Sequence, residues 1–404
     1  MAAFHKRYDV LVAGGGVAGV AAALAAARMG LSTALVEKTV LPGGLATGGQ
    51  IIVYLPLCDG AGTQVTFGLA EELLHAALKY GPGDIPQGWR RPQPKSGHHR
   101  LSAPFCAASF VLALDELIER AGVDVWYDTL ICGSVVDGDR LTAIEVENKS
   151  GRGRLQARCF VDATGDADVA FHAGAPCIEQ DNRLSLWAVE ASVDAARRAV
   201  ESGSGEPLNR GVRVGATNRV EGHPEGLRTL FGTRGRDVTD FVREGRRLLR
   251  EHYARRQAEA GRRNVYPIAL PTMAQFRTTR RIDGLATLSD GMFAHCFDDS
   301  VGLVANWWRA AEVWQVPYRT LLPRKVRGLL AAGRCISAAG EAWEVMRVIQ
   351  AAAHTGEIAG VAAALAVRGD TTPDALDVAR LRAELAPRGV RFAREDGPAR
   401  SCGG

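Results

Sequence analysis

The stretch "YDVLVAGGGVAGVAAALAAARMG" (residues 8 to 30) holds three glycines with the spacing of a phosphate cradle. Gly14-x-Gly16-x-x-Gly19 follows an apolar run and opens an alanine-rich one. Each glycine there has a task. Gly14 permits a tight turn, Gly16 lets a pyrophosphate reach the backbone, and Gly19 lets a helix lie close to a strand. The free N–H groups at the start of that helix would face the phosphates. Glu37 lies further along, where a carboxylate accepts hydrogen bonds from a ribose.

These residues work only if strand, helix and strand position them. Residues 8–13 read as a buried parallel strand, 17–29 as a helix stopped by Gly30, and 32–38 as a second strand. A secretory signal is the rival reading, with Lys6 and Arg7 as its positive start. Asp9, the glycines at 14–16 and Arg28 all interrupt it. Further on, helices are expected at 69–79 and 109–122. The runs "VDVWYDTLICGSVV", "LTAIEVE" and "ARCFVDATG" look like three strands joined as hairpins. Residues 195–263 are arginine-rich and read as a polar surface with helices. "VRGLLAAG" (326–333) is another buried strand, and 341–367 reads as one long small-residue helix. The tail "TTPDALDVARLRAELAPRG" reads as a Thr-capped, Pro-started amphipathic helix.

Composition narrows the function classes. With 404 residues, 47% hydrophobic and 23% charged, the chain has the make-up of a globular protein with a large core. A net charge of +4 gives no general pull toward nucleic acid. Only six lysines accompany many arginines, as a GC-rich genome would produce. Eight cysteines without a C-x-x-C pair argue against a disulfide framework, a zinc site or a dithiol relay, and point to a reducing cytoplasm. Beyond the opening stretch nothing is long and apolar enough to span a bilayer.

The glycine fingerprint alone does not separate NAD from FAD. Four further motifs stand beside it: "GGLATGG" after Glu37, "FVDATGDADVA" at 160–170, "FRTTRRI" at 276–282 and "LLAAGRCISAAGEAWEVMRVIQAAAHTGEIAGVAAAL" at 329–365. With them the chain resembles the FAD-dependent oxidoreductase family, related in fold to the fumarate reductase flavoproteins and glutathione-reductase-like enzymes. The resemblance covers nearly the whole chain except 195–263. It implies an α/β fold, a Rossmann-like FAD-binding domain with a discontinuous substrate or capping domain, and non-covalent FAD.

The resemblance also implies which residues hold the cofactor. Gly14, Gly15, Gly16, Val17, Ala18 and Gly19 would take the pyrophosphate, with Glu37 and Lys38 at the ribose. Gly43, Gly44, Leu45, Ala46 and Thr47 would pass near pyrophosphate and ring, and Ile131 would touch the adenine. Ala163, Thr164 and Gly165 would close over the cofactor, while Gly333 and Arg334 border the ribityl chain. Arg347, Val348 and Ile349 would approach the isoalloxazine, where a positive helix end stabilises reduced flavin. Gly356-x-x-x-Gly360 suits close helix packing equally well.

Candidates for catalysis are less marked. Arg277 and Arg281 would share a face of an extended segment with Arg280 turned away, and an arginine aimed at the ring suits an anionic substrate. An interdomain ion-pair cluster explains the same residues. Tyr54, Cys58 and Asp59 follow the flavin loop and offer acid, base or nucleophile, with buried structural residues the favoured reading. His354 offers a proton carrier or a core histidine, and Cys335 a thiol adduct. His98 and His99 look solvent-facing, and no metal site is expected.

The expected architecture joins 1–45, 105–175 and 320–370 into the FAD-binding domain. Residues 46–104 and 176–319 form the substrate or capping region, and 371–404 a C-terminal helix and tail. The expected function is hydride exchange between a small organic substrate and flavin N5. The alternatives are a flavin-dependent RNA-modifying enzyme, an isomerase or hydratase without net redox turnover, and a flavin-bound protein without activity. Glu201, Glu221, Glu244 and Glu251 break up a phosphate track and weigh against RNA. A homo-oligomer is left open.

Overall fold

The computed structural model describes residues 4–86, 89, 102–217 and 221–394. Its first strand, β1 (Phe4–Ala13), is exposed at His5–Arg7 and fully buried from Val10, where the apolar run begins. The helix α1 (Val17–Arg28) follows, then β2 (Thr33–Val36), parallel to β1 with Val10 beside Thr33. Alanine fills α1 because the helix is enclosed on all sides and has no room for larger side chains.

Two helices come next, α2 (Leu69–Leu78) and α3 (Ala107–Arg120). The run expected as one strand at 123–136 is two. β3 (Asp124–Trp126) lies parallel to β2, and β4 (Leu130–Asp137) turns away into a hairpin with β5 (Arg140–Asn148). The break falls at Asp128, which adopts a left-handed φ of 47°. β6 (Gly151–Asp162) then bridges both parts of the sheet. Its first half pairs antiparallel with β5, and from Gly153 to Asp162 it runs parallel to β1.

The short helix α4 (Asp168–His172) leads to a second, antiparallel sheet. There β7 (Ser185–Ser192) lies between β8 (Arg210–Gly215) and β9 (Val265–Ala269). Between these strands run α5 (Val193–Ser202) and α6 (Gly235–Ala260). Although α6 is rich in arginine, one face of it is buried: Gly245, Leu249 and Tyr253 lie against this sheet and Phe241 against Phe276. A hairpin of β10 (Ser300–Ala305) and β11 (Val313–Pro317) follows, and β12 (Leu329–Ala331) returns to the first sheet parallel to the end of β6.

The long helix expected at 341–367 is broken in two. α7 (Gly340–Met346) and α8 (Ile349–Arg368) meet at 82°. Val348 is extended at the break, with φ −78° and ψ 162°. The remainder of α8 packs on α1 so closely that a Cβ at Gly356 would fall 2.1 Å from the Ala18 carbonyl oxygen. The tail helix also differs from expectation. Thr372 precedes only a 3₁₀ turn, and α9 (Val378–Leu385) starts after Asp377, whose side chain accepts the Ala379 N–H at 2.9 Å. No single helix among the described residues is long and apolar enough to cross a membrane.

Candidate active site

Three backbone segments converge where β1, β6 and β12 end. At Gly14 the chain turns with φ 95°, and a Cβ there would lie 2.6 Å from the Ala163 carbonyl oxygen. At Gly19 a Cβ would lie 1.8 Å from the Gly14 carbonyl oxygen, so α1 can approach the loop only as glycine. Nothing lies within 4 Å of the Cβ direction at Gly16. One glycine is tied to the turn, one to helix packing, and one faces open space.

That space is a cavity of about 790 Å³. Its wall includes Gly14, Gly16, Val17, Ala18, Glu37 and Lys38, then Gly43, Gly44, Leu45 and Ala46. Ile131, Ala163, Thr164, Gly165, Gly333, Arg334, Arg347 and Ile349 complete the residues expected from sequence. Four expected residues are not in the wall. The Gly15 N–H donates to Glu37 Oε2 at 2.7 Å, and Gly19 sits under α1. Thr47 is buried and its hydroxyl donates to the Pro42 carbonyl at 2.6 Å, while Val348 forms the break before α8.

Glu37 is buried, and its second oxygen accepts from both the N–H and the hydroxyl of Thr39. Its orientation is therefore set by the loop it serves. Asp162 sets another turn: it accepts from the Thr164 N–H and hydroxyl and from the Ala170 N–H. Burial raises its carboxyl to about 6. Arg334 ties three segments together, donating to the carbonyls of Gly165 and Phe276 and to the Asp166 carboxylate. The first turns of α1 and α8 carry no side-chain cap, and both open onto the cavity.

The catalytic candidates lie elsewhere. Tyr54 is buried and donates its hydroxyl to the Ala70 carbonyl at 2.5 Å, and burial pushes its phenol up. Cys58 donates to the Trp89 carbonyl, with its thiol raised to about 12, and Asp59 accepts from the N–H groups of Ala61 and Thr63. His354 is enclosed in α8 against Gly302, and burial lowers its imidazole to about 4. None of the four lines the cavity. Cys335 is also buried, its thiol donating to the Asp162 carbonyl. His98 and His99 lie outside the described residues.

The arginines of "FRTTRRI" do not share faces as expected, because only Arg280–Ile282 is a strand. Arg280 is held by the Asp166 carbonyl and the Asp168 carboxylate and stacks on Phe171 at 3.9 Å. Arg281 donates to the Ile282 carbonyl and the Ser337 hydroxyl. Arg277 reaches Thr217, Ser185 and Ala216 through contacts of 3.4–3.5 Å. Burial, then the nearby Arg347, lowers the Arg277 guanidinium to about 10. Arg280 and Arg281 are thus committed to protein partners, as the ion-pair reading required for Arg280.

Sequence reasoning missed part of the wall. Thr129, Asp166, Asp168, Thr272, Met273 and Ala352 line the cavity, as do Val238, Val242, Arg246 and Leu249 from α6. The last four follow helical spacing, so a signal existed in a segment read only as polar surface. Residues 270–274 carry no pattern that marks them.

The arrangement fits an extended dinucleotide: an acid at one end, glycine loops and an uncapped helix in the middle, and a second uncapped helix at the far end. The model of the FAD dependent oxidoreductase family matches residues 9–186 and 178–385. The chain belongs to that family. It is an FAD-binding flavoenzyme of the oxidoreductase class. Among solved structures it is similar to a geranylgeranyl bacteriochlorophyll reductase-like protein from Thermoplasma acidophilum, with 15% identity, TM-score 0.47, and 96% of this chain and 84% of that chain covered. It is also similar to a triple mutant of a flavin-dependent brominase, with 13% identity, TM-score 0.50, and 94% and 84% covered. The second likeness is one of fold alone. A search of curated proteins returned no match.

Proposed function

We propose that this enzyme exchanges a hydride between a small organic substrate and flavin N5, with the substrate admitted to the part of the cavity beneath α6. Bound FAD supplies the two-electron chemistry at its ring. The chain's residues hold and tune it. Gly14, Gly16 and the start of α1 receive the pyrophosphate, Glu37 and Lys38 the ribose, and Ile131 the adenine. Gly43–Ala46, Ala163–Gly165, Gly333 and Arg334 form the walls between the two ends. Segments 1–45, 105–175 and 320–370 serve as the cofactor domain in this reading. Residues 46–104 and 176–319 supply the cap, and 371–404 a C-terminal helix and tail.

The observation that carries the reading is the second uncapped helix start. Ile349 lies at the first turn of α8 and, with Arg347, in the cavity wall, remote along the chain from the glycine loop. The free N–H groups there favour the anionic reduced ring, while the Arg347 guanidinium is paired with the Glu344 carboxylate. Arg277 acts in this reading through its field and not by gripping substrate. The test is a single turnover under anaerobic conditions with the FAD-loaded protein and a substrate deuterated at the carbon that is oxidised. A slower bleaching of the visible flavin band with deuterium is expected. Bleaching without an isotope effect, across substrates, would reject direct hydride exchange.

A further inference from the structure

The cavity has two kinds of wall. On the cofactor side it is glycine-rich backbone and small residues together with charged side chains such as Glu37, Lys38, Asp166 and Arg334. On the cap side it is apolar: Leu186 from β7, Val238, Val242 and Leu249 from α6, and Leu270 and Met273 after β9. Val238, Val242 and Met273 are half-buried, and Leu270 is exposed, so this apolar surface lies open within the cavity. An aqueous occupant would leave it wet, whereas an apolar one removes it from water.

One charge interrupts that wall. Arg246 stands on the same stripe of α6, between Val242 and Leu249, and is exposed. It has no hydrogen-bond or ion-pair partner among the described residues, while the adjacent Arg247 is held by Glu244 and Glu251. Other arginines of α6 without a partner, such as Arg243 and Arg250, do not line the cavity.

We propose that the cap side of the cavity takes an apolar small molecule bearing a single anionic group, and that Arg246 holds the anionic end. The proposal rests on the reading that this side belongs to the substrate. It identifies Arg246 as a specificity-determining residue and the helix stripe as the surface that measures the apolar body. A guanidinium pairs with carboxylate, sulfonate or phosphonate alike, so the class is defined by charge and apolar body together.

The experiment is calorimetric binding to the FAD-loaded protein of three probes: decanoate, 1-decanol and propionate. Decanoate is expected to bind at least about tenfold tighter than either of the others, since loss of a charged hydrogen bond or of a few buried methylenes costs that much. Arg246→Met should weaken decanoate by roughly tenfold and leave decanol unchanged. Val242→Asn should weaken both. Equal binding of propionate and decanoate, no binding of any probe, or full decanoate affinity in Arg246→Met would each overturn the proposal. So would a loss of FAD affinity in Arg246→Met with decanoate binding intact, which would assign the arginine to the cofactor phosphates. None of these readouts needs turnover, so a failed isotope test with selective decanoate binding would reject hydride exchange and leave this inference standing.

Discussion

The Glu37 carboxylate accepts the Gly15 N–H at 2.7 Å, joining the end of the second strand to the middle of the glycine loop. The side chain suited to bind a ribose is thus also a brace for the pyrophosphate turn. Its other oxygen is oriented by Thr39.

Replacing Glu37 with Ala therefore removes a brace and a ribose acceptor together. Fluorescence titration with FAD should show affinity weakened by roughly ten- to a hundredfold, the value of one or two charged hydrogen bonds. Glu37→Gln, which keeps an acceptor oxygen, should fall between. An unchanged titration for Glu37→Ala would remove Glu37 from the cofactor site.

The glycines should separate by role. Gly19→Ala drives a Cβ toward the Gly14 carbonyl at 1.8 Å, and the apoprotein should lose about 2 kcal/mol or more of stability in urea. Gly16→Ala meets nothing within 4 Å and has an ordinary φ of −64°. Its apoprotein should melt like the wild type while FAD binding is lost, because the methyl group occupies the pyrophosphate's approach. Normal FAD binding by Gly16→Ala would contradict the cradle.

Arg334 should matter for both stability and cofactor retention, since it holds Gly165, Asp166 and Phe276 at once. Arg334→Met should lower the melting temperature of the apoprotein and release FAD on gel filtration. Arg334→Lys should rescue neither fully, because one ammonium cannot reproduce the planar fork. Complete rescue by lysine would reduce the role to simple charge.

Glu357 gives a pH signature. Buried on α8, it accepts the Leu69 N–H at the start of α2, and burial raises its carboxyl to about 7. A carboxyl raised on folding binds more protons in the native state than in the unfolded one between its ordinary value and 7. Its contribution to stability is therefore complete in acid and is lost as pH rises through that window. Asp162 has the same sign over a lower window, and His354, lowered to about 4, has the opposite sign. Comparing wild type with Glu357→Gln isolates the group: between about pH 5 and 7 the variant should gain stability relative to wild type in urea titrations. A difference that stays constant with pH would refute the shift.

Much of the cofactor half was legible because its demands are local. A tight turn, a close helix and a phosphate approach each require glycine at a particular position, and a ribose acceptor requires an acid at a strand end. Gly14, Gly16, Gly19 and Glu37 therefore announce themselves in order along the chain. The family motifs extended that reading to Ala163–Gly165 and Gly333–Arg334. The catalytic candidates fared differently. Tyr54 and His354 are polar residues near marked motifs, but nearness in sequence does not say which way a side chain points, and both turn into the core.

By its own pattern the sequence determined the βαβ cradle and the acid at the end of its second strand, since those rest on residues within a strand or turn of one another, while the FAD class came from the family resemblance of motifs spread along the chain. Only the tertiary structure decided the break between α7 and α8, the separate commitments of Arg277, Arg280 and Arg281, and the entry of α6 into the cavity wall. No proline or glycine marks residues 347–348, so helix propensity runs straight through them. Packing on α1 holds α8 in its own direction, and the resulting bend creates the helix start at Ile349. That position follows from contacts between segments more than three hundred residues apart, which no local pattern encodes.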